Sequence, residues 1–139
     1  MRTNSSPAAQ AEAGMLVLLD TVPARPAVKA AAAQAAAAAL DRLRARLMEL
    51  SEAGNIELEH LESSAAKRGH APDLAAMNAV KDRINRDAAA ASRAVVASII
   101  TAAQTVLDDG AGGGAAEWFG AHGFDLSEPA MPPPITATD

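Results

Sequence analysis

Residues 27–53 read AVKAAAAQAAAAALDRLRARLMELSEA, with Pro26 just before them and Gly54-Asn55 just after. Nothing inside this stretch breaks a helix. Alanine loses no side-chain entropy on ordering and has the strongest intrinsic helix preference of any residue. Pro26 suits a first turn, where its missing N–H has no intrahelical partner to lose. Leu40, Leu43, Leu47 and Leu50 recur at 3-4-3 spacing, extended backward by Ala36 and Ala33. That spacing predicts a coiled-coil seam, alanine-lined in its first half and leucine-lined in its second.

Gly54 reads as a helix stop and Asn55 as the next N-cap, with Glu57 and Glu59 well placed against the positive end of a new helix. Leu58, Leu61 and Ala65 then resume a stripe shifted by about one position. One bent helical arm over residues 27–67 is therefore expected, with a split at Gly54 as the alternative. Lys67-Arg68-Gly69-His70-Ala71-Pro72-Asp73 has basic residues for a last turn, a glycine stop and a Pro-Asp opening, which marks a turn. Beyond it Met77, Val80, Ile84, Ala88, Ala91, Val95, Ile99, Ala102 and Val106 recur at a mean spacing of about 3.6, the α-helical period. The fold expected is all-α: an Ala-rich antiparallel helical hairpin over residues 27–107, because a short turn between two long helices folds one back on the other.

The flanks lack that regularity. Residues 1–26 read as a flexible segment carrying one short apolar run, Met15-Leu16-Val17-Leu18-Leu19, either a strand for a partner's sheet or a patch against the hairpin. Residues 108–139 read as a Gly-rich linker followed by an acidic, proline-rich tail with no Lys or Arg. Trp118, Phe119 and Phe124, all three aromatics of the chain, fall there, with Leu126 beside them. Large apolar groups on a flexible acidic strip suit a segment that docks on a protein partner, or one that caps the hairpin near Leu107.

Composition narrows the function. Half of the 139 residues are apolar, but 37 of them are alanine, so large core side chains are scarce. The absence of cysteine excludes disulfides and thiolate chemistry, and fits a reducing compartment. A net charge of −5 opposes non-specific nucleic-acid binding; Arg42, Arg44 and Arg46 have no aromatic nearby on which a base could stack. The run 15–19 is too short for a secretory core or a membrane span, and the alanine run 31–39 is only weakly apolar and closely followed by charges. A soluble protein without membrane attachment is expected.

No catalytic, cofactor or metal residues emerge. Glu57-Leu58-Glu59-His60 holds a single Glu-x-x-His step, whereas a di-iron bundle needs two such steps and two further inward glutamates. His70 and His122 have no ligand spacing to His60. The glycines of 110–114 lack the Gly-Lys-Ser/Thr ending of a phosphate loop.

Two helices alone bury one stripe each and leave their flanks wet. Val96, Ile100, Ala103 and Leu107 widen the second arm's apolar face, and a wider face needs another neighbour. Residues 28–48 carry +3 and residues 49–62 carry −5, so a second copy laid antiparallel can set arginines opposite glutamates. The expectation is a non-enzymatic structural or interaction protein, a homo-oligomer or larger helical assembly. Its self-association face is Leu40, Leu43, Leu47, Leu50, Ile84, Val95, Ile99 and Val106, and its docking segment is Trp118, Phe119, Phe124 and Leu126. The alternatives are an amphipathic protein spread on a lipid or polymer surface and an enzyme whose site forms only at an oligomer interface.

Overall fold

The computed structural model describes residues 6–127, and among them the regular structure is entirely helical. Four helices follow one another: α1 (Pro7–Thr21), α2 (Pro26–Lys67), α3 (Leu74–Gly110) and α4 (Ala115–Ala121). The two long helices start and stop within three residues of the expected bounds. Pro26 opens α2, and Asp73 caps α3 by accepting from the Ala76 N–H at 3.2 Å. Between them Gly69 takes φ +71°, and the N–H of His70 returns to the Ala65 carbonyl at 2.8 Å, so a left-handed glycine closes the α2 terminus.

Two expectations are corrected and one is narrowed. Residues 7–21 are helical rather than flexible. Ser6 accepts from the Ala9 N–H at 3.1 Å and Pro7 occupies the first turn, a strong start signal. The buried residues Ala8, Ala11, Met15, Leu18 and Val22 then step by 3-4-3-4, a helical seam whose early members are alanines. Met15–Leu19 is thus part of this helix and not a strand. Secondly, of the two readings at Gly54 the single arm is the one found, since α2 continues through it without a break. Thirdly, residues 115–121 form a helix rather than tail; residues 128–139, with the prolines of the tail, lie outside the described residues.

The chain divides into two compact units, each built partly from α2 and α3. The first comprises residues 6–43 and 92–127, the second residues 44–91. This cut differs from the expected one: both flanks belong with the ends of the long helices rather than apart from them. In the first unit α1, α2, α3 and α4 all contribute to one apolar cluster, with Leu18, Ile99, Val106, Leu107 and Phe119 fully buried. In the second unit, among the described residues, only α2 and α3 contribute, and Leu50, Ala65 and Val80 are the buried apolar side chains.

Candidate functional site

The expected aromatic docking segment is the end wall of the first unit. α3 stops where Gly112 (φ +78°) lets its N–H reach the Leu107 carbonyl at 2.5 Å, and Gly113 (φ +88°) continues the reversal. Gln104 holds the glycine run in place. Its Nε2 donates to the Asp108 Oδ1 at 2.9 Å and to the Gly113 carbonyl at 2.8 Å, while its Oε1 accepts from the Ala115 N–H at 2.8 Å. The linker is therefore fastened, and α4 starts in a defined direction.

α4 turns Phe119 into the core. Phe119 is fully buried, edge-on to Trp118 (centroids 5.4 Å, 73°) and to Phe124 (6.2 Å, 67°). Gly14 of α1 makes room for it: a Cβ there would lie 2.6 Å from two Phe119 ring carbons and 3.1 Å from Phe124. Trp118, Phe124 and Leu126 are half-buried against the same cluster. His122 stacks on Trp118 with centroids 3.9 Å apart, its Nδ1 2.8 Å from the Trp118 carbonyl. The four residues expected to anchor a partner are thus engaged with their own chain, because a short glycine-rich tether keeps them within reach of the end of α3.

The self-association residues part in the same way. Val95, Ile99 and Val106 are buried in the first unit, with Leu40 and Leu43 half-buried against its core. The further neighbour that their wide face requires is supplied by α1 and α4 of the same chain. Of the expected alanines in α2, Ala36 is buried but Ala33 is exposed, and Ala32 and Ala39 join the buried set. In the second unit Leu50 is buried and Ile84 half-buried, but Leu47 is 40% exposed. Met48 (64%), Ile56 (67%) and Leu74 (55%) are exposed there too.

Gly54 is where α2 and α3 come together, since a Cβ on it would overlap the Ile84 Cδ1. Glu57 forms an ion pair with Arg83 across the two helices, and His60 is exposed and lies 3.5 Å from the Ser64 hydroxyl. No group of three or more potential metal ligands occurs among the described residues.

Sequence reasoning missed the clamp at the α1–α2 connection. The Arg25 backbone N–H donates to Asp109 Oδ2 at 2.7 Å and its Nε to Oδ1 at 2.8 Å. The Arg25 side-chain bond, then the Arg25 backbone bond, hold the Asp109 carboxyl below the usual carboxylate range. The Gly110 Cα lies so near the Pro23 carbonyl that a Cβ would occupy the oxygen's place. The signal was an acidic pair at a helix end beside glycine, which reads equally well as a solvated linker.

α3 is long and apolar enough to cross a membrane by length and composition, with a third of that window buried. No protein-family model matches the chain, and no solved structure matches it. It is similar to the uncharacterized protein Rv2082 of Mycobacterium tuberculosis, 36% identical over 112 residues. The match covers 81% of this chain but only 15% of that protein's length.

Proposed function

We propose that this chain is a non-enzymatic helical interaction protein whose α2 and α3 form an antiparallel hairpin that self-associates. The observation that carries the reading is the poverty of the second unit's core: three buried apolar side chains among the described residues, with Leu47, Met48, Ile56 and Leu74 exposed on the same two helices. Two helices without a third layer leave apolar surface in water, and a further helix pair removes it. The charge division of α2, arginines before residue 47 and glutamates after it, favours an antiparallel second copy, which brings opposite signs together. The first unit has filled a core of its own. Its buried face accounts for the apolarity of α3 over residues 95–107, so a soluble protein rather than a membrane span is the reading adopted.

Sedimentation velocity on the full chain over a wide concentration range tests the proposal. Reversible association is expected, weakened by the triple substitution L47S/M48S/I56S while the helical circular dichroism is retained. A folded monomer at every concentration overturns it. Binding of such a monomer to phospholipid vesicles would favour the surface-active alternative instead.

A further inference from the structure

We infer that α1 is an exchangeable element: the groove it fills in the first unit also accepts α1 of a second copy, and the Arg25–Asp109 clamp is what keeps the exchange closed within one chain. The buried face of α1 consists of Ala8, Ala11, Gly14, Met15, Leu18 and Val22 and is wholly apolar. It meets alanines of α2, the Val95–Val106 face of α3 and Phe119. An apolar helix in an apolar groove makes the same contacts whichever chain delivers it, so only the connection discriminates between the two arrangements.

That connection is short and stiffened by two prolines. Thr21 ends α1 and Pro26 opens α2, leaving Val22-Pro23-Ala24-Arg25 to turn the chain. Val22 and Arg25 each precede a proline, which drives a residue towards extended backbone, and Val22 is extended at φ −83°, ψ 127°. A connection of four residues with two prolines has few ways to fold α1 back, so freeing it from α3 favours the straighter path to a second copy. The fold opposes it with two contacts at one place. Asp109 holds both the backbone N–H and the guanidinium of Arg25, and Gly110 lets the Pro23 carbonyl lie against the end of α3. The carboxylate is 14% exposed whereas the Arg25 side chain is 76% exposed, so the enclosed partner is the one that fixes the hinge.

The partner is a second copy of this chain, and its contribution is residues 7–21. The inference goes beyond the self-association proposed above, which concerns the exposed side chains of the second unit. Three full-length proteins are compared by sedimentation velocity: the parent, D109N, and D109N with a four-residue Gly-Ser insertion between Ala24 and Arg25. D109N is expected to dimerise about tenfold more tightly than the parent. The insertion is expected to abolish that gain, because a longer tether lets α1 reach its own groove without a forced turn. The gain is expected to persist in an L47S/M48S/I56S background, which separates it from association through the second unit. A D109N protein that associates no more than the parent, or whose gain survives the insertion, overturns the inference. Should D109N lose its helical signal, the parent refolded from denaturant at high concentration takes its place. A dimer that dissociates slowly on dilution is then expected, and immediate return to the parent's state overturns the inference.

Discussion

The same two helices run through both units, yet they are buried to very different degrees. In the first, residues 27–43 and 92–107 share their apolar faces with α1 and α4, and Ile99, Val106 and Leu107 are fully buried. In the second, residues 44–91 have only each other among the described residues, and Met48 and Ile56 remain about two-thirds exposed. Helix propensity does not separate the two regions, since alanine is abundant in both. What separates them is the number of layers, because a helix is secured chiefly by the apolar face it buries and only weakly by its own preference. The difference teaches where to look for function: a unit that has completed its own core offers less to a partner than one that has not.

The strongest way to break this comparison is to empty the first core. Phe119→Ala removes the largest fully buried side chain and should cost about 3–5 kcal/mol, the range for a buried aromatic truncated to alanine. Amide hydrogen exchange should then accelerate across α1 and α4 and the parts of α2 and α3 in the first unit. If residues 44–91 lost protection to the same degree, the two units would not be separate in stability. A truncation at residue 114 should act in the same direction, because it deletes the same side chain together with its helix.

Three glycines sharpen it further. Gly14, Gly54 and Gly110 all lie in helices, where alanine is intrinsically favoured over glycine by about 1 kcal/mol. Gly14→Ala presses on two aromatic rings in a filled core and should destabilise by about 1–3 kcal/mol. Gly110→Ala meets a backbone carbonyl and should cost a similar amount, about 1–3 kcal/mol, with the α1–α2 hinge loosened. Gly54→Ala meets only the Cδ1 end of Ile84, which can rotate into the open second unit, so the melting temperature should be unchanged or slightly raised. Urea unfolding of the three variants distinguishes these signs.

How much of this was legible follows from what alanine was taken to mean. The long helices, their turn and every position of the α3 stripe from Met77 to Val106 are readable, because large residues repeat at one period between clear caps. α1 was equally present in the sequence as Ser6-Pro7 and the steps Ala8, Ala11, Met15, Leu18, Val22. It is missed when Ala8 and Ala11 count as filler, whereas in this chain alanine is a core residue wherever helices approach closely. The role of Phe119 could not be read, since nothing local says that Gly14, more than a hundred residues earlier, leaves space for its ring. The Arg25–Asp109 clamp joins residues 84 apart and has no local pattern at all.

Acid should distinguish the units as well. Asp109 has a folded pKa below its unfolded value, so it contributes stability at neutral pH that is lost as pH falls through the folded value. The loss begins below the ordinary aspartate pKa of about 3.9 and extends to more acid pH. The parent protein should therefore lose more melting temperature between about pH 5 and pH 2 than D109N does, since asparagine has no proton to take up. Identical pH profiles for the two proteins would mean that the clamp adds nothing to the stability of the first unit.

The smallest effect expected is at Glu57 and Arg83, the ion pair that ties α2 to α3 in the second unit. Both side chains are nearly half exposed, 44% and 47%, so water competes for each charge and salt screens what is left. Exposed pairs of this type contribute about 0–1 kcal/mol, and E57Q should fall in that range, with its effect vanishing at high salt. The charge change still bears on the comparison. If the second unit associates through antiparallel copies, lowering its negative charge should alter the salt dependence of association more than it alters the stability of the monomer, because charges at an interface set orientation and encounter more than affinity. A change in monomer stability well above 1 kcal/mol would mean that this pair, and not a missing helix layer, is what holds the second unit together.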